Sequence, residues 1–232
     1  MNNFQKLAEN TIKELELNLR KQRINSFFLT GGTSAKALYK MLKSKGIMNS
    51  LKSTNFFFGD ERCVPPHHPA SNYNMVRSIF LDYIPTQNFK RIYADTFDPI
   101  TEAKRYNDFV PDSVDFILLS VGEDGHIASL FPNSLALRRD DKITFVSDSN
   151  KPPTNRISIT PKVILNAKNV MVLVSGKNKA KILIHALNNP NNFESLPVCL
   201  TIGRTWILDE EASNFFLKFA PSNKLNTKLI YA

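Results

Sequence analysis

"ILLSVGEDGHIASLFP", residues 117–132, opens as an apolar run with the makeup of a strand covered on both faces, then breaks into Gly122, Glu123, Asp124, Gly125 and His126. Two carboxylates and an imidazole set around two glycines are loop chemistry, and they stand where the strand ends. The fold reading depends on whether this strand-then-polar-loop unit recurs. It does: "SFFLT" (26–30) leads into "GGTS", "NFFF" (55–58) into "GDERC", and "NVMVLV" (169–174) into "SGKNK". Weaker strand signals lie at "KRIYA" (90–94), "ITFVS" (143–147), "RISIT" (156–160) and "TWIL" (205–208).

Helical periodicity fills the intervals. Phe4, Leu7, Ile12, Leu15 and Leu19 recur at helical spacing after Asn2 and Asn3 as candidate caps. Ala35 to Lys45 before Gly46, and Lys179 to Asn188 before Pro190, read as amphipathic helices. Repeated βα units predict an α/β fold, a mostly parallel doubly wound sheet flanked by helices on both faces, in a single domain over residues 1–232. If the strong strands are parallel neighbours, their four polar loops meet at the carboxyl edge, where open α/β sheets place a ligand crevice.

Composition narrows the function classes. With 232 residues, 42% apolar and 22% charged, the chain has the material for one large core. No apolar run approaches the roughly 18 residues of a membrane span, and the N-terminal segment carries acids where a signal peptide has its apolar centre. A cytoplasmic protein without membrane attachment is expected. Cys63 and Cys199 form no CxxC pair and read as free thiols. The net charge of +9 suits nucleic acid, anionic lipid or a phosphorylated small molecule alike. The lysines are scattered and no nucleic-acid motif is present, so they read as a solvated surface and nucleic acid is not expected as a partner.

In "TGGTSAKALYKML", Gly31 and Gly32 precede a helix opened by Thr33 or Ser34, an arrangement that suits either a phosphate cradle or a plain tight turn. It is neither a P-loop nor a dinucleotide fingerprint. "GDERCVPPHHPASNY" sets Asp60, Glu61 and Arg62 just past a strand. Arg62 has the planar fork that suits phosphate, and Glu61 reads as a surface ion pair. His67, His68 and Cys63 match no familiar zinc spacing, so no metal site is expected. His185 falls inside a helical stretch and reads as packed or surface.

His126 stands between a glycine turn and an expected helix start. Its imidazole can accept a proton at neutral pH, with Glu123 or Asp124 holding its tautomer or merely capping the helix. Lys179 sits at a helix N-terminus, where its charge opposes the helix dipole unless an anion intervenes; it reads as a phosphate ligand or as a solvated lysine. Arg77, Arg138, Arg139 and Arg156 are further cationic candidates. Cys63 is a remote candidate for an acyl nucleophile.

Taken in order, "LTGGTSAKALY", "FFFGDERCVPPHHPASNYNMVRSIFL", "DFILLSVGEDGHIASLFP", "RISIT", "VSGKNKAKIL" and "TWILDEEAS" resemble the motifs of the 6-phosphogluconolactonase family over nearly the whole chain. The resemblance implies a NagB/ribose-phosphate-isomerase-like fold and hydrolysis of 6-phospho-D-glucono-1,5-lactone without cofactor or metal. A small phosphosugar lactone is then the partner, and a monomer, with a dimer as the alternative, is the expected assembly. It further implies His126 as base, with Asp60, Arg62 and Lys179 in the site. Gly31, Gly32, Thr33, Ser34, Ser71, Asn72, Glu123, Gly125 and Arg156 are expected around the substrate.

The family usually shows GGSTP where this chain has Gly31, Gly32, Thr33, Ser34 and Ala35, which keeps both hydroxyls and loses the proline; Ser120 stands in place of a glycine and Ile127 of a threonine. Ile127 matches the related glucosamine-6-phosphate deaminases, but Phe131 stands where their motif has a glutamate. A non-catalytic sugar-phosphate sensor, the third alternative, would be expected to lack the base.

Overall fold

The computed structural model describes residues 3–80 and 83–231; Asn2, a candidate cap, lies outside them, and Asn3 is the first residue of the first helix. The first half of the chain holds α1 (Asn3–Lys21), β1 (Ser26–Leu29), α2 (Thr33–Ser44), β2 (Asn55–Phe58), β3 (Asp60–Arg62), α3 (Asn72–Phe80) and α4 (Pro99–Phe109). The second holds β4 (Phe116–Ser120), β5 (Ile143–Val146), β6 (Arg156–Ile159), α5 (Pro161–Asn166), β7 (Asn169–Val174), α6 (Lys177–Asn188), β8 (Thr205–Leu208), α7 (Glu210–Phe219) and β9 (Lys228–Tyr231). No helix among the described residues is long and apolar enough to cross a membrane.

Six strands form one sheet in the order β2-β1-β4-β7-β8-β9, every neighbouring pair parallel. The chain steps outward from β1 to β2 on one side and from β4 through β7 and β8 to β9 on the other. Its direction of travel therefore reverses between β1 and β4, and the loops leaving those two strands diverge to open a crevice. The β1–α2–β2 and β7–α6–β8 crossovers run in opposite directions along the sheet, and the right-handed turn general to such units puts α2 and α6 on opposite faces.

Aromatic packing holds the sheet's first strands together. Phe28 stacks on Phe57 with ring centroids 4.9 Å apart, and Phe27 meets Phe116 edge-on at 4.7 Å; all four rings are buried. Each such burial contributes about 1.5–3 kcal/mol. Two buried tyrosines pin strand ends that lead to the crevice. The Tyr39 hydroxyl accepts from Thr30 N and donates to Thr30 O at the exit of β1, while that of Tyr106 accepts from Phe58 N at the end of β2 and donates to Lys90 O.

Of the weaker strand signals, "TWIL" forms β8 of the parallel sheet, whereas the other three resolve differently. "ITFV" and "RISI" are strands, yet they pair antiparallel with each other and with β3 in a separate three-stranded sheet ordered β3-β6-β5. The Asp60–Arg62 segment, expected as a loop, is thus a short strand with Asp60 opposite Ser158 and Arg62 opposite Arg156. "KRIYA" forms no strand. After a single Phe56–Phe89 bridge, the Tyr93 amide donates to the Glu102 carboxylate instead of a ladder partner. Nor does a helix begin after His126. The loop folds back on itself, with Gly122 N donating to His126 O at 2.9 Å, and the next helical turn is at Leu135–Arg138. Glu123 and Asp124 therefore cap nothing there.

Candidate functional site

A cavity of about 260 Å³ opens at the crevice. Thr30, Gly31 and Gly32 line it from the loop after β1, Asp60 and Arg62 from β3, Ser120 to Glu123 and His126 from the loop after β4, and Lys179 from α6. The four polar loops that lie far apart in sequence do converge on one rim.

The loop after β4 has to be glycine where it is. A Cβ on Gly122 would lie 2.1 Å from two atoms of the His126 ring, so the turn can fold the imidazole back over its own strand end only without a side chain there. His126 Nδ1 contacts Asp124 Oδ1. The orienting carboxylate is therefore Asp124, not Glu123, which is exposed at the cavity edge. An ionised Asp124 only accepts, which fixes the proton on Nδ1 and leaves Nε2 with the free lone pair. Burial raises the Asp124 carboxyl, but the hydrogen bond and charge of His126, with Lys151, outweigh it and hold the group well below the usual carboxylate range. Phe131 covers the imidazole with its ring 4.6 Å away, and Arg156 lies 5.3 Å from the centre of the Phe131 ring.

Opposite stands Asp60, buried and fully engaged. Its Oδ2 accepts from Ser129 Oγ at 2.6 Å and its Oδ1 from Asn72 Nδ2 at 2.9 Å, with Arg62 Nε and one terminal nitrogen of Arg156 each 3.8 Å from Oδ2. Arg62 donates to Ala70 O at 2.7 Å, and its Nε is buried without a hydrogen-bond partner. Asn72 also explains Gly31: a Cβ there would sit 2.0 Å from Asn72 Oδ1, so the β1 loop can close on the β3 side only through glycine.

Several residues expected in the site lie behind it. Thr33 and Ser34 form the first turn of α2 next to Gly32, whose N-cap position carries no side-chain cap; α6 likewise starts uncapped after Gly176. Both helices thus present unsatisfied N–H groups and their positive ends near the cavity. Ser71 and Asn72 open α3, and Gly125 packs against Leu196. Arg156 is buried as a strut, donating to Pro153 O at 2.9 Å and Lys151 O at 3.0 Å. Arg77 and Arg139 are exposed, and Arg138 forms a surface pair with Glu194 at 3.0 Å.

Glu61 is not the surface ion pair its sequence suggested. It is 3% exposed and accepts from Arg62 N, Asn72 N, Tyr73 N and Ser71 Oγ, so it caps α3. Burial nevertheless raises its carboxyl, against the lowering by those four donors. Cys63 does not line the cavity, and its thiol is pushed up to about 11 by burial, with Glu61 adding to the shift and Arg156 opposing it. A protonated thiol is a poor nucleophile. His68 Nδ1 accepts from Ala70 N, His185 is exposed on α6, and no group of three or more His, Cys, Asp or Glu side chains among the described residues is placed to hold a metal.

Three contributors escaped the sequence reading. Lys151, in the loop between β5 and β6, lines the cavity with its Nζ 3.4 Å from Asp124 Oδ1. Ser129 fixes Asp60. Asp209, at the end of β8, accepts from Ser175 Oγ at 2.6 Å and Gly176 N at 3.1 Å, which anchors the loop before Lys179. Burial pushes the Lys179 ammonium below the usual lysine range, against the opposing pull of Glu123 and Asp209. The only sequence cue for Lys151 was its place five residues before Arg156, at the head of the "RISIT" segment.

Comparison with known proteins places this arrangement. Residues 2–206 match the family described as glucosamine-6-phosphate isomerases/6-phosphogluconolactonase. The chain is similar to a 6-phosphogluconolactonase from Haemophilus influenzae, 36% identical over 178 residues, covering 73% of this chain and 75% of that protein. It is also similar to 6-phosphogluconolactonase 4 of Saccharomyces cerevisiae, at 35% over 207 residues, with 79% and 81% covered. Among solved structures, a 6-phosphogluconolactonase from Trypanosoma cruzi superposes with TM-score 0.79 at 26% identity, covering 92% and 94% of the two chains. A monomeric glucosamine-6-phosphate deaminase superposes at 0.78 with 19% identity, a likeness of fold. The chain belongs to the glucosamine-6-phosphate isomerase/6-phosphogluconolactonase family.

Proposed function

We propose that this protein hydrolyses 6-phospho-D-glucono-1,5-lactone to 6-phospho-D-gluconate, a step of the oxidative pentose phosphate pathway, as a cytoplasmic enzyme. The observation that carries the reading is His126 held through Nδ1 by Asp124, at a cavity whose other walls supply cations and uncapped helix N-termini. A lactone is an activated ester. Its opening needs water deprotonated as it attacks, charge stabilised on the carbonyl oxygen, and the sugar held in place.

His126 Nε2 takes a proton from water as the water oxygen bonds to C1. When the C1–O5 bond breaks, the imidazolium returns the proton to the ring oxygen. General-base action of this kind contributes about 10²- to 10⁴-fold. Arg62, Lys179 and the N–H groups around Gly32 grip the 6-phosphate and orient the ring. The deaminase alternative is disfavoured by Phe131, an apolar ring against the imidazole at the position where that chemistry has a carboxylate.

The test uses lactone generated in situ by oxidation of glucose 6-phosphate, with spontaneous opening subtracted. Acceleration of 6-phosphogluconate formation, with no ammonia released from glucosamine 6-phosphate, is the expected result. A rate equal to spontaneous opening, or ammonia release, contradicts the reading.

A further inference from the structure

Asp124 Oδ1 is shared. It takes His126 Nδ1 and also lies 3.4 Å from Lys151 Nζ, while Asp124 Oδ2 is buried with no hydrogen-bond partner. The imidazole N–H and the Lys151 ammonium therefore share one oxygen, which the His126 amide also approaches at 3.4 Å, and the carboxylate's other oxygen takes none of them.

The Lys151 contact has the marks of a provisional one. A committed ammonium–carboxylate bond sits at about 2.7–2.9 Å, shorter than the distance here. The Lys151 side chain is 45% exposed, whereas its main chain is tethered: its carbonyl accepts from Arg156 at 3.0 Å and Ser149 Oγ at 2.8 Å. Such a lysine has a fixed root and a free head, and the head lines the same cavity as the imidazole.

The other cations are placed differently. Arg62 leans on Asp60 and Ala70 O across the cavity, and Lys179 rises from the uncapped start of α6. Among the described residues, Lys151 is the cation that reaches the Asp124–His126 pair itself, the end of the cavity where bond-making occurs. We propose that Lys151 is the cation of the reacting end, resting on Asp124 in the free enzyme and transferring to the oxygen that becomes anionic at the acyl carbon.

This inference rests on the lactonase reading above and assigns a step within it. Water oxygen bonds to C1, His126 takes the water proton, and the carbonyl π pair moves onto oxygen, where the Lys151 ammonium meets it without giving up a proton. On collapse that pair re-forms the carbonyl, the C1–O5 bond breaks, and O5 takes the proton from His126. The departure of Lys151 also leaves Asp124 wholly to the imidazolium at the moment its charge appears. The remaining charged groups facing His126 are Glu123 from its own loop, Asp60 and Arg62 from β3, and Lys179 from α6; Arg156 stands behind Phe131.

The test pairs kinetics with a titration of the imidazole. In Lys151→Met, kcat falls on the order of 10²-fold while KM changes less than about threefold, as for loss of an oxyanion donor. In the free protein, followed by NMR of the His126 ring, the same substitution moves the titration midpoint upward, since a competing cation is gone. Lys151→Arg keeps the midpoint near that of the wild type, because the charge remains. A rise in KM with kcat intact would move Lys151 to the phosphate end and overturn the assignment, as would an unchanged kcat. An unmoved midpoint in Lys151→Met would overturn the resting contact. If the wild type fails to open the lactone at all, the lactonase reading falls and the acyl-oxygen role with it, while the titration still decides whether Lys151 rests on Asp124.

Discussion

Glu61 and Asp124 are both acids in the polar segments that follow strong strands, and Glu61 is buried while Asp124 is half-buried with one oxygen out of water, yet they are used in opposite ways. Glu61 is saturated: three backbone amides and a hydroxyl donate to its two oxygens. Asp124 is left unsaturated, with one oxygen shared by His126 and Lys151 and the other without a partner. A carboxylate saturated by backbone groups has nothing left to offer a substrate and serves as scaffold. One that carries cations at a cavity wall can change partners as charge develops.

Breaking the unsaturated member should show first in catalysis. Asp124→Asn keeps the shape but offers Nδ1 an amide that can present its NH2 group, which favours the wrong tautomer. A kcat lower by on the order of 10²-fold, with thermal stability lowered less than in Glu61→Ala, is the expected outcome of steady-state kinetics and a melting curve. Arg62→Ala, on the opposite wall, should raise KM by about tenfold, the cost of one charge-assisted contact, with a smaller effect on kcat.

Breaking the saturated member should show in stability. Glu61→Ala strands three buried amides and costs about 3 kcal/mol by urea titration, lowering Tm by roughly 6–10 °C. Comparable stability in Glu61→Ala and Asp124→Asn would erase the distinction drawn here.

The two acids also differ in the sign of their pH linkage. The Asp124 carboxyl lies below its ordinary range, so its contribution is fully present above the unfolded pKa of about 4 and is lost progressively as pH falls below it toward the lowered folded value. The stability gap between wild type and Asp124→Asn therefore narrows in acid. The Glu61 carboxyl is raised, so its protonated form favours the folded state. The stability of wild type relative to Glu61→Gln should then increase as pH falls from neutrality toward the ordinary carboxylate value. The smallest effect belongs to Cys63: with its thiol pushed up to about 11, Cys63→Ala should keep kcat within about twofold of wild type.

The parallel sheet was legible because each of its strong strands is a short apolar run closed by glycine and polar residues, a pattern set by burial on both faces. The small antiparallel sheet was not. Its strands are three or four residues long, and β3 is the segment "DER", whose pairing with "RISI" depends on residues about a hundred positions away. In the site, His126 and Arg62 announced themselves as polar groups past strand ends and Lys179 as a cation at a helix start, while Asp60 entered through the family resemblance. The division of labour between them stayed hidden, because hydrogen-bond saturation is a property of three-dimensional neighbours. Glu61, read as a surface ion pair, and Arg156, read as a candidate cation, both turn out to be engaged by the protein. Lys151 looks like one of many surface lysines until the loop between β5 and β6 brings it to Asp124.

The central claim is that the imidazole after β4 performs the proton transfer. Lactone opening by the wild type and by His126→Ala, each corrected for the spontaneous reaction and measured at equal folded concentration, tests it directly. The account predicts that the substitution lowers kcat by about 10²- to 10⁴-fold. Equal rates for the two proteins would contradict it.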